Sequence, residues 1–183
     1  MNALSTVSVT EVDAERILLR QVGDTDRAGL IELYTDPEVR TYLGGPRPRA
    51  DVEQMLDQLG TAPVPGSYVI ADRESDDLLG GVWLDRRPAD MPGHVTENGN
   101  ELELSYALLR SAWGKGLAFE ATAALLRAAA DELPEQPVMV VTQTANERSM
   151  KLVERLGFRV VDTFEQFDAE QALGSAPLHS FKA

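Results

Sequence analysis

The 183-residue chain contains no cysteine, which excludes disulfides and thiol chemistry. It is also poor in cations: 17 lysines and arginines against 30 aspartates and glutamates leave a formal net charge of -13. Such a balance repels a polyphosphate backbone and argues against nucleic acid as a partner. No stretch approaches the roughly 18 uninterrupted apolar residues of a membrane helix, so no membrane partner is expected. The opening MNALSTVSVTEVDAER has no basic patch followed by an apolar core. No secretory signal is read there, and a cytoplasmic location is the expectation.

What remains fits one folded unit. The length suits a single core, so one domain over residues 1–183 is expected. The surplus of acid serves solubility, and it equally suits a cationic small molecule or a basic protein tail.

The hydrophobic period changes several times along the chain. RILLRQV from Arg16 reads as a strand, and Asp24 precedes a helical stretch with Leu30, Ile31 and Leu33. DPEVRTYL has an aspartate and a proline in capping order and predicts a second short helix stopped by Gly44 and Gly45. ADVEQMLDQLG places Val52, Met55, Leu56 and Leu59 on one helical face. SYVIADR and LLGGVWLDRR, parted by ESDD, read as a hairpin, and the polar loop RRPADMPGHVTENGN leads into ELELSYALL. There Leu102, Leu104, Tyr106 and Leu108 alternate with Glu101, Glu103, Ser105 and Ala107, giving a strand with one apolar and one acidic face.

LAFEATAALLRAAADEL predicts a helix with Leu117, Ala121, Ala124, Leu125 and Ala128 on one face. PVMVVTQ reads as a buried strand, NERSMKLVERLG as a helix capped by Asn146, and FRVVDTFEQF as a strand. DAEQALGSAP is expected to be a loop and LHSFKA a last short strand. The order β, helices, β, β, β, α, β, α, β predicts a mixed α/β (α+β) layer fold.

The segment AWGKGLAFEA stands between the acidic strand and the alanine-rich helix. It is not a P-loop, because leucine follows Gly116 and glycine follows Lys115 where lysine and a hydroxyl residue are needed. As a dinucleotide fingerprint it lacks the third glycine, Phe119 standing there instead. Two glycines at a helix start still offer free amides and close approach to an anion, although the same glycines also fit a bare tight turn.

Trp113 to Ala118, in the setting ELSYALLRSAWGKGLAFEA, resemble the acetyl-CoA motif of the GNAT superfamily of N-acetyltransferases. The variant W-G-x-G-x-A-x-E-A is similar to the branch that acetylates N-terminal amines of ribosomal proteins. TANERSMKLVERLGF and ILLRQVGDTDRAGLIELYTDPEVRTYL resemble further parts of that branch, in the same order. The resemblance implies a central mixed, mostly antiparallel sheet flanked by helices, with splayed central strands holding acetyl-CoA as co-substrate and no metal.

It also implies roles for single residues. Backbone groups of Tyr106, Ala107 and Leu108 would pair with the pantetheine arm as an added strand. Amides of Gly114, Lys115, Gly116, Leu117 and Ala118 would hold the pyrophosphate, with Trp113 beside them where many relatives carry Gln or Arg. Asn146 would bond the cofactor near its thioester while also suiting a helix N-cap, and Ser149 would protonate or stabilise the departing thiolate. A tyrosine used by other members later on that helix is replaced by Val153.

Glu103 matches a frequent glutamate of the branch and is the first candidate for general base, with Glu101 in reserve. A single carboxylate there could equally bind the acceptor's ammonium or sit in solvent. The implied activity is acetyl transfer to a primary amine by direct attack. The acceptor, a cationic amine by charge, could be a protein N-terminus, a polyamine or an aminoglycoside. An acyl-CoA-sensing domain without turnover and a purely structural domain are the readings from other classes, and a homodimer is compatible with all of them.

Overall fold

A computed structural model describes residues 6–60 and 62–183. The N-terminal segment read for a secretory signal therefore lies in part, at residues 1–5, outside the described residues. The elements are β1 (Val12–Asp13), β2 (Ile17–Arg20), α1 (Arg27–Thr35), α2 (Arg49–Leu59), β3 (Ser67–Asp72), β4 (Leu78–Arg86), β5 (Leu102–Leu108), α3 (Leu117–Glu132), β6 (Pro137–Gln143), α4 (Glu147–Leu156), β7 (Arg159–Gln166) and β8 (Ala169–Pro177). Among the described residues, eight strands form one sheet in the order β1-β2-β3-β4-β5-β6-β8-β7. All neighbours are antiparallel except β5 and β6, which run parallel. This is the mixed α/β layering that the element order predicted, with the mostly antiparallel sheet flanked by helices that the resemblance implied.

The alternation along the strands divides the core between two faces. Ile17, Leu19, Ile70, Val82, Leu84, Leu102 and Leu104 meet Leu117, Ala121, Leu125, Leu126 and Ala129 of α3 in the main cluster. The buried stripe of α3 also takes in Thr122 and Ala130, while Ala124 and Ala128 lie at its margin. That is a wider stripe than the sequence pattern drew, because α3 packs on the sheet on one side and meets α4 and the C-terminal turn on the other. On the opposite face a smaller cluster joins Leu33 of α1, Val39 and Leu109 to Trp83 and Ala107. No helix among the described residues is long and apolar enough to cross a membrane.

Three segments depart from the sequence reading. Residues 36–43 form consecutive turns instead of a second short helix. Asp36 does cap the amides of Glu38 and Val39, but the Arg40 guanidinium then holds the carbonyls of Leu43 and Gly45, and Gly44 and Gly45 are both left-handed. DAEQALGSAP is no loop: it contains β8, inserted between β6 and β7. Phe167 and Asp168 both take positive φ and make the two-residue hairpin turn, and burial of Ala172, Leu173 and Ala176 outweighs the poor strand propensity of this segment. The tail 178–181 is a 3-10 turn in place of a strand, with the Phe181 ring tilted 39° against Phe158 at 5.5 Å between centroids. The two-residue β1 had no readable period.

Gly80 allows the closest approach in the central sheet. A Cβ there would meet the Ala107 carbonyl oxygen at 2.2 Å and the Leu108 Cα at 2.9 Å, both main-chain atoms that cannot step aside cheaply. Gly80→Ala is expected to cost about 1–3 kcal/mol by overpacking, read as a drop in Tm on the order of 5 °C in a thermal melt. A melt indistinguishable from the parent would refute this account of the strand spacing.

The loop from β4 to β5 is tied down by Glu101. Its buried carboxylate accepts the amides of Val95 (2.7 Å) and Thr96 (2.9 Å) and contacts His94 Nδ1 at 2.8 Å. Burial works against the charge, but the bonds from His94, Thr96 and Val95 overcome it and draw the pKa down to about 2. Relative to the ordinary value near 4.5, that separation corresponds to about 3 kcal/mol. A depressed carboxylate stabilises the fold fully above the unfolded-state pKa and ceases to do so as pH falls towards the folded-state value. Urea melts should therefore show Glu101→Gln weaker than the parent at pH 7, with the gap closing between about pH 4.5 and 2. A gap constant over that range would contradict the assignment.

Candidate functional site

The site begins with a fault in the sheet. β5 pairs with β6 only through Leu102, Leu104 and the Glu103 between them, opposite Val138 to Val140. Beyond Leu104 the two strands part, and main-chain groups on that edge of β5 lose their sheet partners. The Leu109 amide donates to Leu79 and the Arg87 amide to the Glu101 carbonyl, so odd-numbered residues direct their backbone groups towards β4. Antiparallel alternation then turns those of Tyr106 and Leu108 into the gap. Ala107, expected to share in backbone pairing with a ligand, directs its carbonyl at Gly80 instead. The Leu108 carbonyl also accepts the Trp113 indole N–H at 2.9 Å, which leaves the Tyr106 backbone and the Leu108 amide for the gap.

The gap opens into a cleft of about 850 Å³ that runs from β5 and β6 to the start of α3 and the first turns of α4. Gly114 and Gly116 both adopt left-handed conformations, φ +73° and +75°. These backbone conformations, which side-chain-bearing residues rarely adopt, turn the chain from the strand into α3. Gly116 is the N-cap and offers no side chain to the first-turn amides, so these stay uncapped at the positive end of the helix. Gly114, Gly116, Leu117 and Ala118 line the cleft, while Lys115 is exposed and does not. Its carbonyl accepts from Arg16, whose Nε also pairs with Glu120 at 2.8 Å, and this holds the loop from behind. Leu117 drives its side chain into the core and so fixes the direction of α3.

Across the cleft, Asn146 caps α4 by accepting the Ser149 amide at 3.2 Å. Ser149 Oγ is hydrogen-bonded to the Tyr106 hydroxyl. Burial raises the Tyr106 pKa, opposed by that bond, so the phenol stays protonated at neutral pH. The resemblance implied only a backbone role for Tyr106. Its period-two alternation placed the ring on the apolar face, but nothing in the sequence showed that Ser149 would stand opposite. Val153, at the position of the absent tyrosine, is buried in the main core. Arg148 lies over the Trp113 ring at 4.8 Å and Arg155 over Phe119 at 4.0 Å, so two cations flank the cleft near the glycine turn.

The other face of β5 has its own cavity, about 310 Å³, lined by Leu33, Tyr34, Arg40, Leu43, Trp83 and Asp85 among others. Leu43 and residues Ser105 to Ala107 line both cavities, so the two meet at the parted edge of β5. Glu103 is on this face, but both its oxygens accept from Nη1 of the buried Arg87, at 3.1 and 2.9 Å. Arg87 in turn holds the Pro92 and Gly93 carbonyls. Glu101 does not share the open face: it is buried before β5 begins. Asp85, directly across from Glu103 in the strand register, was not singled out in the sequence. Among the described residues no group of three or more His, Asp or Glu could hold a metal ion.

The uncapped helix start, the glycine turn and the unpaired strand edge fit an elongated ligand with an anionic end and an amide-bearing arm. Known proteins resemble this chain in sequence and in fold. A curated uncharacterised N-acetyltransferase of Bacillus licheniformis is 26% identical over 151 residues, covering 79% of this chain and 80% of its own. The fold is similar to a GNAT-family acetyltransferase of Bacillus anthracis, with a TM-score of 0.76, 17% identity and coverage of 92% of this chain and 98% of that one. It is also similar to a spermidine N-acetyltransferase of Vibrio cholerae solved with CoA and spermine, with a TM-score of 0.69, 14% identity and coverage of 91% and 98%. Residues 16–159 match the acetyltransferase (GNAT) domain model, and the chain therefore belongs to the GNAT acetyltransferase family.

Proposed function

We propose that this protein transfers the acetyl group of acetyl-CoA to a primary amine by direct attack, without a covalent enzyme intermediate. The observation that carries this is the parting of β5 from β6 beside an uncapped α3. It supplies unpaired backbone groups for the pantetheine amides and free amides for the pyrophosphate in one continuous cleft. When bound there, acetyl-CoA supplies an activated thioester carbonyl. The protein's part is to hold, orient and manage protons.

Tyr106 and Leu108 backbone groups and the amides from Gly114 to Ala118 hold the co-substrate, with Trp113 and Asn146 on the walls. With the phenol protonated, Tyr106 donates to Ser149 Oγ, which frees the Ser149 proton for the departing sulfur. On the acceptor face, Asp85 lines the cavity and offers a carboxylate to an incoming ammonium, while Glu103 beside it is held by Arg87. An acceptor must lose a proton before it can attack, so a carboxylate on that face suits the chemistry. The resemblance of the glycine turn and TANERS to the ribosomal-protein branch supports a protein N-terminal amine as one acceptor, and the acidic balance also admits small-molecule amines.

Two measurements bear on this reading. Gly116→Val places a β-branched side chain at φ +75°, and calorimetry should show acetyl-CoA affinity falling at least about tenfold while Asn146→Ser keeps most of it. A panel of peptides, polyamines and other primary amines, followed by free CoA thiol and product mass, should yield a monoacetylated product. In that assay Ser149→Ala should lower kcat by about 10- to 100-fold with little change in KM for acetyl-CoA. Tight acetyl-CoA binding with no thiol release from any amine would instead favour an acyl-CoA sensor.

A further inference from the structure

Three acidic residues stand near the start of β5, and two are occupied with structure. Glu101 is bonded to the amides of the 87–100 loop, and Glu103 is held by Arg87, which clasps the same loop. The Asp85 carboxylate, across the strand pair from Glu103, makes neither a hydrogen bond nor an ion pair with the described residues. It is exposed in the cavity on the α1 side of the sheet, whose remaining walls are largely Leu33, Leu43, Trp83 and Tyr34. That cavity meets the co-substrate cleft at the backbone of Ser105 to Ala107, where the thioester end of the arm would lie.

The same cavity also carries positive charge. Arg40 lines the cavity and lies over the Tyr34 ring at 5.8 Å, with Arg47 over the same ring at 5.7 Å. One carboxylate, Asp85, largely apolar walls, and the Arg40 guanidinium with Arg47 over the Tyr34 ring make a site of mixed polarity with little room for further positive charge. A second ammonium on the acceptor would meet like charge there.

Resting on the N-acetyltransferase reading, we propose that Asp85 is the catalytic carboxylate that binds the acceptor's ammonium and takes its proton, and that the acceptor is a monocationic primary amine on an apolar stem. Of the two protons the nitrogen loses, the first passes to an Asp85 oxygen and on to solvent. The freed lone pair forms the C–N bond as the C–S bond breaks with its electrons going to sulfur. Loss of the second proton offsets the one that sulfur receives. The environment suits a base: partial loss of water and then the neighbouring Glu103 charge raise the Asp85 pKa. The groups facing Asp85 are Glu103 from β5, Tyr34 from α1 and Arg40 from the turn after α1. Glu103 and Arg87 then act as positioning residues that keep β5 and its loop in register.

The test uses the whole chain with acetyl-CoA and three probes: phenethylamine, pentylamine and spermidine. The expected result is kcat/KM for both monoamines at least about tenfold above that for spermidine. Asp85→Asn should lower monoamine kcat/KM about 100-fold and remove the acid limb of its pH profile, while Asp85→Glu restores activity to within about tenfold of the parent. Arg40→Gln should narrow the preference against spermidine. Parent-like kcat/KM and pH profile in Asp85→Asn, or spermidine preferred by the parent, overturns the inference and leaves the acetyltransferase reading standing. A parent that binds acetyl-CoA but releases no thiol with any amine defeats that reading itself, and this inference with it.

Discussion

Everything in the candidate site depends on one interrupted set of hydrogen bonds. A sheet leaves strand edges unpaired only where something else can satisfy them, because a backbone amide or carbonyl without a partner in a partly desolvated cleft is costly. Here β5 leaves β6 after Leu104 while remaining in full register with β4 as far as Leu108. Gly80 permits that register by letting the β4 main chain lie close against Ala107 and Leu108. The strand edge, the co-substrate cleft and the meeting point of the two cavities all arise from this parting.

Charge is distributed around it in a way that the overall excess of acid conceals. The α3 and α4 side presents helix-start amides with Arg148 and Arg155 at its rim, a setting for phosphate. The α1 side presents the Asp85 carboxylate and the Arg40 guanidinium in one cavity. A net charge of -13 thus says little about either ligand, since each meets a local field set by a few side chains. The carboxylates themselves differ in use. Glu101 and Glu103 stabilise the β4–β5 loop, and Asp85 is left available.

Much of the fold was legible because it is written in local periods. The two-residue alternation from Leu102 to Leu108, the capped helix after Asn146 and the glycine turn before α3 all appear where the pattern puts them. Failures came where tertiary contacts outweighed propensity. β8 is rich in Ala, Gly and Ser and gains its place from partners on both sides, β6 and β7. The 36–43 segment begins with good capping residues but is held as turns by Arg40 and two left-handed glycines. The α3 face was drawn too narrow because its second set of neighbours is remote in sequence.

The sequence by itself determined the family, the order of elements from β2 to β7 apart from the 36–43 segment, and the glycine turn, since these rest on residue type and spacing within a few dozen residues. Only the tertiary structure decided which groups meet. Tyr106 and Ser149 are 43 residues apart, Arg87 and Glu103 16 apart, and Asp85 finds its neighbours through strand register and a cavity walled by α1. A side chain's chemistry depends on its partners and its access to water, and both are set by contacts between segments that no local pattern encodes.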